Sequence, residues 1–192
     1  SAGTLDFASS ANITLTNAIT GSGTFRQSGA GTTLVYAAAQ SLDTFSGNVV
    51  VDGGTLMQST GTAYQRRGLS SATSFTVNSG GTLLVARDSM NDSATFILNG
   101  GTLKTSSGYQ TLGPIFLNGG TIMTGPGSGD PYQAFALSGD VAVTGNVPSF
   151  IRAGAGSYNG IHLTFNTTSG PRSRTFRVED VTGSAEADLT IS

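Results

Sequence analysis

Cysteine is missing from all 192 positions, tryptophan is missing too, and lysine occurs once, at Lys104. Without cysteine the chain has no thiol nucleophile, no disulfide and no zinc thiolate centre. Charge is scarce as well: Asp, Glu, Lys and Arg make up 10% of the residues and the net charge is −2, where ordinary globular domains carry about 25% charged residues. Nine basic residues, for the most part scattered, leave no electrostatic footprint for a phosphate backbone, which argues against nucleic acid as a partner. No apolar run is long enough for a membrane-spanning helix. No basic and apolar leader opens the chain, so Ser1 is expected to follow a processing site or to mark the edge of an excised segment. What is abundant is glycine, 28 residues, together with Ser, Thr and Asn, over a 37% hydrophobic content that suffices for a continuous core. A surface of hydroxyls and amides follows.

One short phrase recurs four times: an alternating apolar run, Asn or Asp with glycines, then Thr and an aliphatic residue. It reads Val49 to Leu56, Phe75 to Leu83, Phe96 to Leu103 and Ile115 to Ile122. The first glycines of the pairs, Gly53, Gly80, Gly100 and Gly119, are spaced by 27, 20 and 19 residues, about one solenoid coil. Period-two alternation sets Val49 with Val51, Phe96 with Leu98 and Ile115 with Leu117 on one inward face. In the second copy the extra Ser79 reads as a one-residue bulge in the turn. Leu56, Leu83, Leu103 and Ile122 make a second apolar column. The period extends to Gly3-Thr4-Leu5 and Gly23-Thr24-Phe25, and Phe135 to Val141 fits as a degenerate fifth copy.

No helical periodicity competes, so the chain is expected to be all-β: a right-handed parallel β-helix of roughly nine coils, about 45 Å long at ~4.8 Å per stacked strand. The alternative is an antiparallel sandwich, because Asn-Gly between alternating apolar residues is also a hairpin signal. Residues 1–192 read as one β-helical segment, expected to be part of a longer chain or a unit that stacks, since the repeat begins mid-coil and Ala187 to Ile191 ends as a strand. Projecting loops are expected at 63–72, 86–94, 124–134 and 146–175, the last bracketed by Pro148 and Pro171 and read as an irregular region or side lobe.

Catalytic chemistry finds little to stand on. Asp88 and Asp92 with Arg87, and Glu179 and Asp180 with Arg177, read as solvated turn residues rather than an acid/base pair. His162, the sole histidine, alternates with Ile161, Leu163 and Phe165; if those point inward it points out, and no nucleophile pattern accompanies it. No catalytic residue, metal ligand or cofactor is expected. The basic clusters are Tyr64 with Arg66 and Arg67, and Arg172 with Arg174 and Arg177; Tyr64, Arg66, Arg67, Arg172 and Arg174 are the candidate ligand contacts, since guanidinium forks pair with carboxylate or phosphate groups of an anionic glycan. Solvated loops are the plainer reading of both.

Residues 21–58, in which Gly21 to Phe25, Phe45-Ser46-Gly47 and Gly53 to Leu56 carry the pattern, resemble the passenger-associated repeat of bacterial autotransporters. The resemblance implies a bacterial cell-surface or secreted passenger domain, attached to a membrane only through a C-terminal β-barrel that lies outside this chain. The function expected from it is a structural or adhesive one, a stiff stalk that contacts host or bacterial glycans or proteins or associates with itself. The alternatives are a subunit of a head-to-tail extracellular fibre and a polysaccharide lyase or glycosidase.

Overall fold

The computed structural model describes residues 2–35, 44–58, 68–87, 89–106, 108–125, 134–154, 160–163 and 173–192. Among the described residues there is no helix, and twenty-one strands form four sheets. Sheet 1 stacks β1 (Thr4–Phe7), β4 (Thr24–Gln27), β7 (Asn48–Val51), β9 (Ser74–Asn78), β11 (Thr95–Asn99), β14 (Ile115–Asn118), β17 (Val141–Val143) and β20 (Phe176–Val178). Sheet 2 stacks β2 (Ile13–Leu15), β5 (Thr32–Val35), β8 (Gly54–Gln58), β10 (Gly81–Val85), β12 (Thr102–Thr105), β15 (Thr121–Met123), β18 (Ser149–Arg152) and β21 (Leu189–Ile191). A third side carries β13 (Tyr109–Leu112), β16 (Ala134–Leu137) and β19 (Gly160–His162), with β3 (Thr20–Gly21) and β6 (Thr44–Phe45) paired separately.

Every strand ladder is parallel, and the chain visits sheet 1 and then sheet 2 in each coil, so the fold is a parallel β-solenoid. The Asn-Gly turns therefore join strands of different sheets, which removes the hairpin reading and the sandwich with it. Each long sheet has eight strands, so eight rungs stand where about nine were expected. The coils are uneven: Ile115 pairs with Phe96, 19 residues back, whereas Phe176 pairs with Val141, 35 residues back. At about 4.8 Å per rung eight rungs make a stack of about 38 Å where about 45 Å was expected.

Period two is realised in full. Phe25, Val49, Phe75, Phe96, Ile115 and Val141 form one buried column of sheet 1, and the Phe75 and Phe96 rings stack with centroids 5.4 Å apart. In sheet 2, Leu56, Leu83, Leu103, Ile122 and Ile151 form the facing column. The Thr before each of the repeated aliphatics points out: Thr55, Thr82, Thr102 and Thr121 are register partners, half-buried against one another as β-branched side chains on a pleated surface are.

The two glycines of the turn have different tasks. In the third copy Gly100 has φ +77°, a backbone that L side chains rarely adopt, while a Cβ on Gly101 would stand 2.5 Å from a Val77 methyl and 2.6 Å from its carbonyl oxygen. The first glycine turns the chain; the second lets one coil lie against the previous one. In the second copy the positive φ falls at Gly80 and Ser79 is absorbed inside the turn, with Val77 still opposite Leu98 and Gly81 opposite Gly54.

Two details of the repeat are corrected. Phe135 to Val141 is not a fifth copy in register with Ile115 to Gly120: Phe135 belongs to β16 on the third side, and the partner of Ile115-Phe116-Leu117 is Val141-Ala142-Val143. Nor do the described residues of 86–94 project as a loop, since Ser89 and Met90 are fully buried and Ala94 with them. Within 146–175, β18 and β19 take regular places in their sheets.

The third side is held by buried amides. Gln58 donates to Ser89 O at 3.0 Å and accepts from Leu69 N at 3.3 Å; Gln110 donates to Thr111 O at 2.7 Å and accepts from Met90 N at 3.0 Å. Each glutamine supplies hydrogen bonds to irregular backbone that no ladder satisfies, which is what allows a polar side chain to sit in the core.

Candidate binding surface

Of the predicted contact residues, Tyr64, Arg66, Arg67 and Arg172 lie outside the described residues. Arg174 donates from Nε to Leu137 O at 2.7 Å and from Nη1 to Ser173 O at 3.0 Å, so much of its fork is bound to backbone at the end of β16. His162 is exposed in β19 while Ile161 packs against the core, as alternation requires. Leu163 is exposed rather than inward, because β19 ends at His162, and Phe165 lies outside the described residues.

The carboxylates hold turns. Asp140 accepts from Thr175 N at 2.9 Å, Asp180 from Gly183 N at 2.8 Å, and Asp188 from both Thr182 N and Oγ1. Glu179 pairs with Arg177 at 3.1 Å, and Asp92 accepts from Gln110 at 3.5 Å; Asp88 lies outside the described residues. Arg87 sits over the Tyr109 ring, 5.8 Å from its centroid. Among the described residues no group of three or more His, Asp or Glu is placed to hold a metal ion.

The outward face of sheet 1 carries a polar ladder that runs across the coils. Arg26 lies 3.6 Å from Asp6 and donates to Asp52 at 2.6 Å; Asn78 donates to Asp52, and Asn99 donates to Asn78 at 3.0 Å. The Asn78 amide, and after it the Arg26 guanidinium, hold the Asp52 carboxyl below its ordinary value against the opposing effect of partial burial. Asp52 in turn raises Arg26. A carboxyl depressed in the folded state stabilises the fold above its unfolded value, near 3.9, and that contribution disappears as pH falls through the folded value. Asp52→Asn is therefore expected to flatten the loss of stability between about pH 5 and about pH 2 relative to wild type. Urea midpoints measured across that range test it, and parallel curves for the two proteins would rule it out.

Further along the same face the ladder gives way to an apolar strip. Ile97, Phe116 and Ala142 are register partners that point outward, and Phe116 is 45% exposed. The ring lines two hollows. One, of about 340 Å³, is bounded by Ile97, Asn99, Asn118 and Thr144; the other, of about 230 Å³, by Pro114, Asp140, Ala142, Thr175 and Arg177. An apolar ring face thus stands between amides and hydroxyls on one side and a carboxylate and a guanidinium on the other, the mixture of apolar wall and few polar groups that ligand sites carry. Both hollows sit on hydrogen-bonded strands, so their polar groups are pre-positioned. Sequence reading set Ile115 and Leu117 inward by period two but did not follow the residues between the inward ones to the outer face. The signal that could have found it was the alternation itself, which places the middle residue of each triplet outside. No protein-family model, curated protein or solved structure matches this chain.

Proposed function

We propose that this chain is a non-enzymatic structural and adhesive segment of a bacterial cell-surface protein of the autotransporter type, a stiff β-solenoid stalk that contacts saccharide on the outer face of sheet 1. The observation that carries the adhesive part is the exposed Phe116 ring between two polar-lined hollows. A pyranose offers an apolar face to stack on such a ring, with hydroxyls around its rim for the side chains of Asn99, Asn118 and Thr144. Arg177 extends the face towards acidic sugars. The spelling of residues 21–58 supports the surface location and the secretion route. The engagement of most of the described carboxylates in turns, ladders and ion pairs supports binding over hydrolysis or lysis.

The test is retention on a panel of immobilised neutral and acidic polysaccharides. Phe116→Ala is expected to weaken retention about tenfold while leaving far-UV circular dichroism unchanged, since an exposed ring adds little to the fold. Equal retention of both proteins, or none by either, would overturn the saccharide reading. Appearance of reducing ends or unsaturated products in the same incubations, with or without calcium, would replace adhesion by catalysis.

A further inference from the structure

We infer that Asn118 is a site of spontaneous covalent modification: the Gly119 backbone nitrogen closes on the Asn118 side chain and converts it to aspartate and isoaspartate, while the identical Asn99-Gly100 step one coil earlier is protected. The two steps share a spelling and a place in the repeat, with Leu98 and Leu117 as register partners just before them. In both, the attacking nitrogen belongs to a glycine, whose missing Cβ removes the steric obstacle to ring closure. What separates them is hydrogen bonding. The inference rests on the fold and is independent of any saccharide.

At Asn99 both partners of the ring closure are engaged. Its side-chain amide donates to Asn78 Oδ1 at 3.0 Å, as a rung of the ladder that leads to Asp52, and Gly100 N donates to Asn118 O at 2.9 Å. A nitrogen whose hydrogen is held by a carbonyl of the next coil cannot turn onto the preceding side chain until that bond breaks. At Asn118 neither group is held: among the described residues nothing accepts from Gly119 N, and the Asn118 side chain makes no hydrogen bond. The amide ladder stops short of it because the next coil carries Thr144 in that column, the residue after the Leu117 partner Val143. Asn118 is exposed at the end of β14 and lines the hollow beside Phe116, so water reaches it. Gly145 of the next coil leaves its side chain room, since a Cβ there would collide with Asn118 Oδ1.

The chemistry needs only water. Gly119 N loses its proton and bonds to Asn118 Cγ; the Cγ–Nδ2 bond breaks and ammonia leaves, giving a five-membered succinimide. One water then opens the ring. Addition at Cγ breaks its bond to Gly119 N and leaves an aspartate on an ordinary main chain. Addition at the Asn118 main-chain carbonyl carbon breaks the original peptide bond instead and leaves isoaspartate, with the chain running through Cβ and Cγ. Nothing is oxidised or reduced. Either product adds one negative charge beside Phe116, and isoaspartate also turns the carbonyl that accepts from Gly100 N into a carboxylate, which disturbs the contact between two coils.

Incubation of the full chain in mildly alkaline buffer, followed by tryptic peptide mass spectrometry, reads the conversion. Cleavage after Arg87, Lys104 and Arg152 places Asn99 in peptide 88–104 and Asn118 in peptide 105–152, and fragment ions separate them from Asn91 and Asn146. In the folded chain Asn118 is expected to convert about tenfold faster than Asn99, because two hydrogen bonds must be given up at Asn99. In concentrated urea, where the ladder is gone, the two rates should converge. Labelling by an isoaspartyl methyltransferase should mark peptide 105–152 of the aged folded protein, and Asn118→Gln should abolish that label. Equal rates in the folded chain, faster conversion at Asn99, or an Asn118 that stays intact while the unfolded chain converts would overturn the assignment. So would a difference that persists undiminished in urea, since its cause would then lie in the local sequence and not in the stack.

Discussion

Phe96→Ala is expected to destabilise the solenoid by about 3–5 kcal/mol, which is a large part of the total for a fold whose net stability is about 5–15 kcal/mol. The ring is fully buried in β11, stacked on Phe75 below and followed by Ile115 above. Its removal deletes contacts on both neighbouring rungs, and the surrounding backbone cannot collapse into the space because parallel ladders fix the rung spacing. A second effect follows from the architecture. In a stack of repeats, stability is close to a sum of coil terms and nearest-neighbour terms, so weakening a central interface also loosens the coupling of the two ends. Urea unfolding followed by far-UV circular dichroism should therefore show a lower midpoint and a shallower slope. Ile97→Ala, at the next residue but facing outward, is expected to cost under about 1 kcal/mol. Equal losses for the two substitutions would reverse the inside and outside faces of β11.

That inside and outside were legible in the sequence is owed to the parallel stack. Like residues recur because each rung packs on the same residue of the rung below, so Thr4 and Thr24, or Leu83 and Leu103, keep both their spacing and their chemistry. Where the chain leaves the two long sheets the recurrence stops. Gln58 and Gln110 are core residues because each answers particular backbone groups at Leu69, Ser89 and Met90, and such single solutions leave no period to read. Met90 and Leu69 are buried inside segments whose Ser, Asp and Gly content spells a loop. Phe135 to Leu137 misled for the opposite reason: an apolar strand on the third side shows the same alternation as one in sheet 1, and β16 is buried at all four positions. The site followed suit. Scarce arginines drew attention to the clusters at 66–67 and 172–174, while the face around Phe116 was hidden in plain alternation.

The stack also makes backbone proximity, rather than side-chain packing, the most sensitive feature of the turn. Gly54 combines both demands that the glycine pair otherwise divides: φ is +58°, and a Cβ there would lie 2.3 Å from Gly31 O and 2.5 Å from Gly29 O. Those atoms are main chain of the preceding coil, held in place by the Thr55 N to Gly31 O hydrogen bond, so no rotamer change can relieve the contact. Gly54→Ala is expected to cost about 2–5 kcal/mol, from left-handed backbone strain together with the forced separation of two rungs. Two other glycines separate these contributions. Gly183 has φ +61° with nothing within 4 Å of the place a Cβ would take, and Gly3 has neither a positive φ nor a neighbour at that distance. Gly183→Ala should therefore report the backbone strain alone, about 1 kcal/mol, and Gly3→Ala should be close to neutral. If urea midpoints place Gly54→Ala level with Gly183→Ala, rung contact is not what the second glycine secures. If Gly54→Ala falls well below it, the repeated Gly-Gly is the device that sets how closely the coils stack.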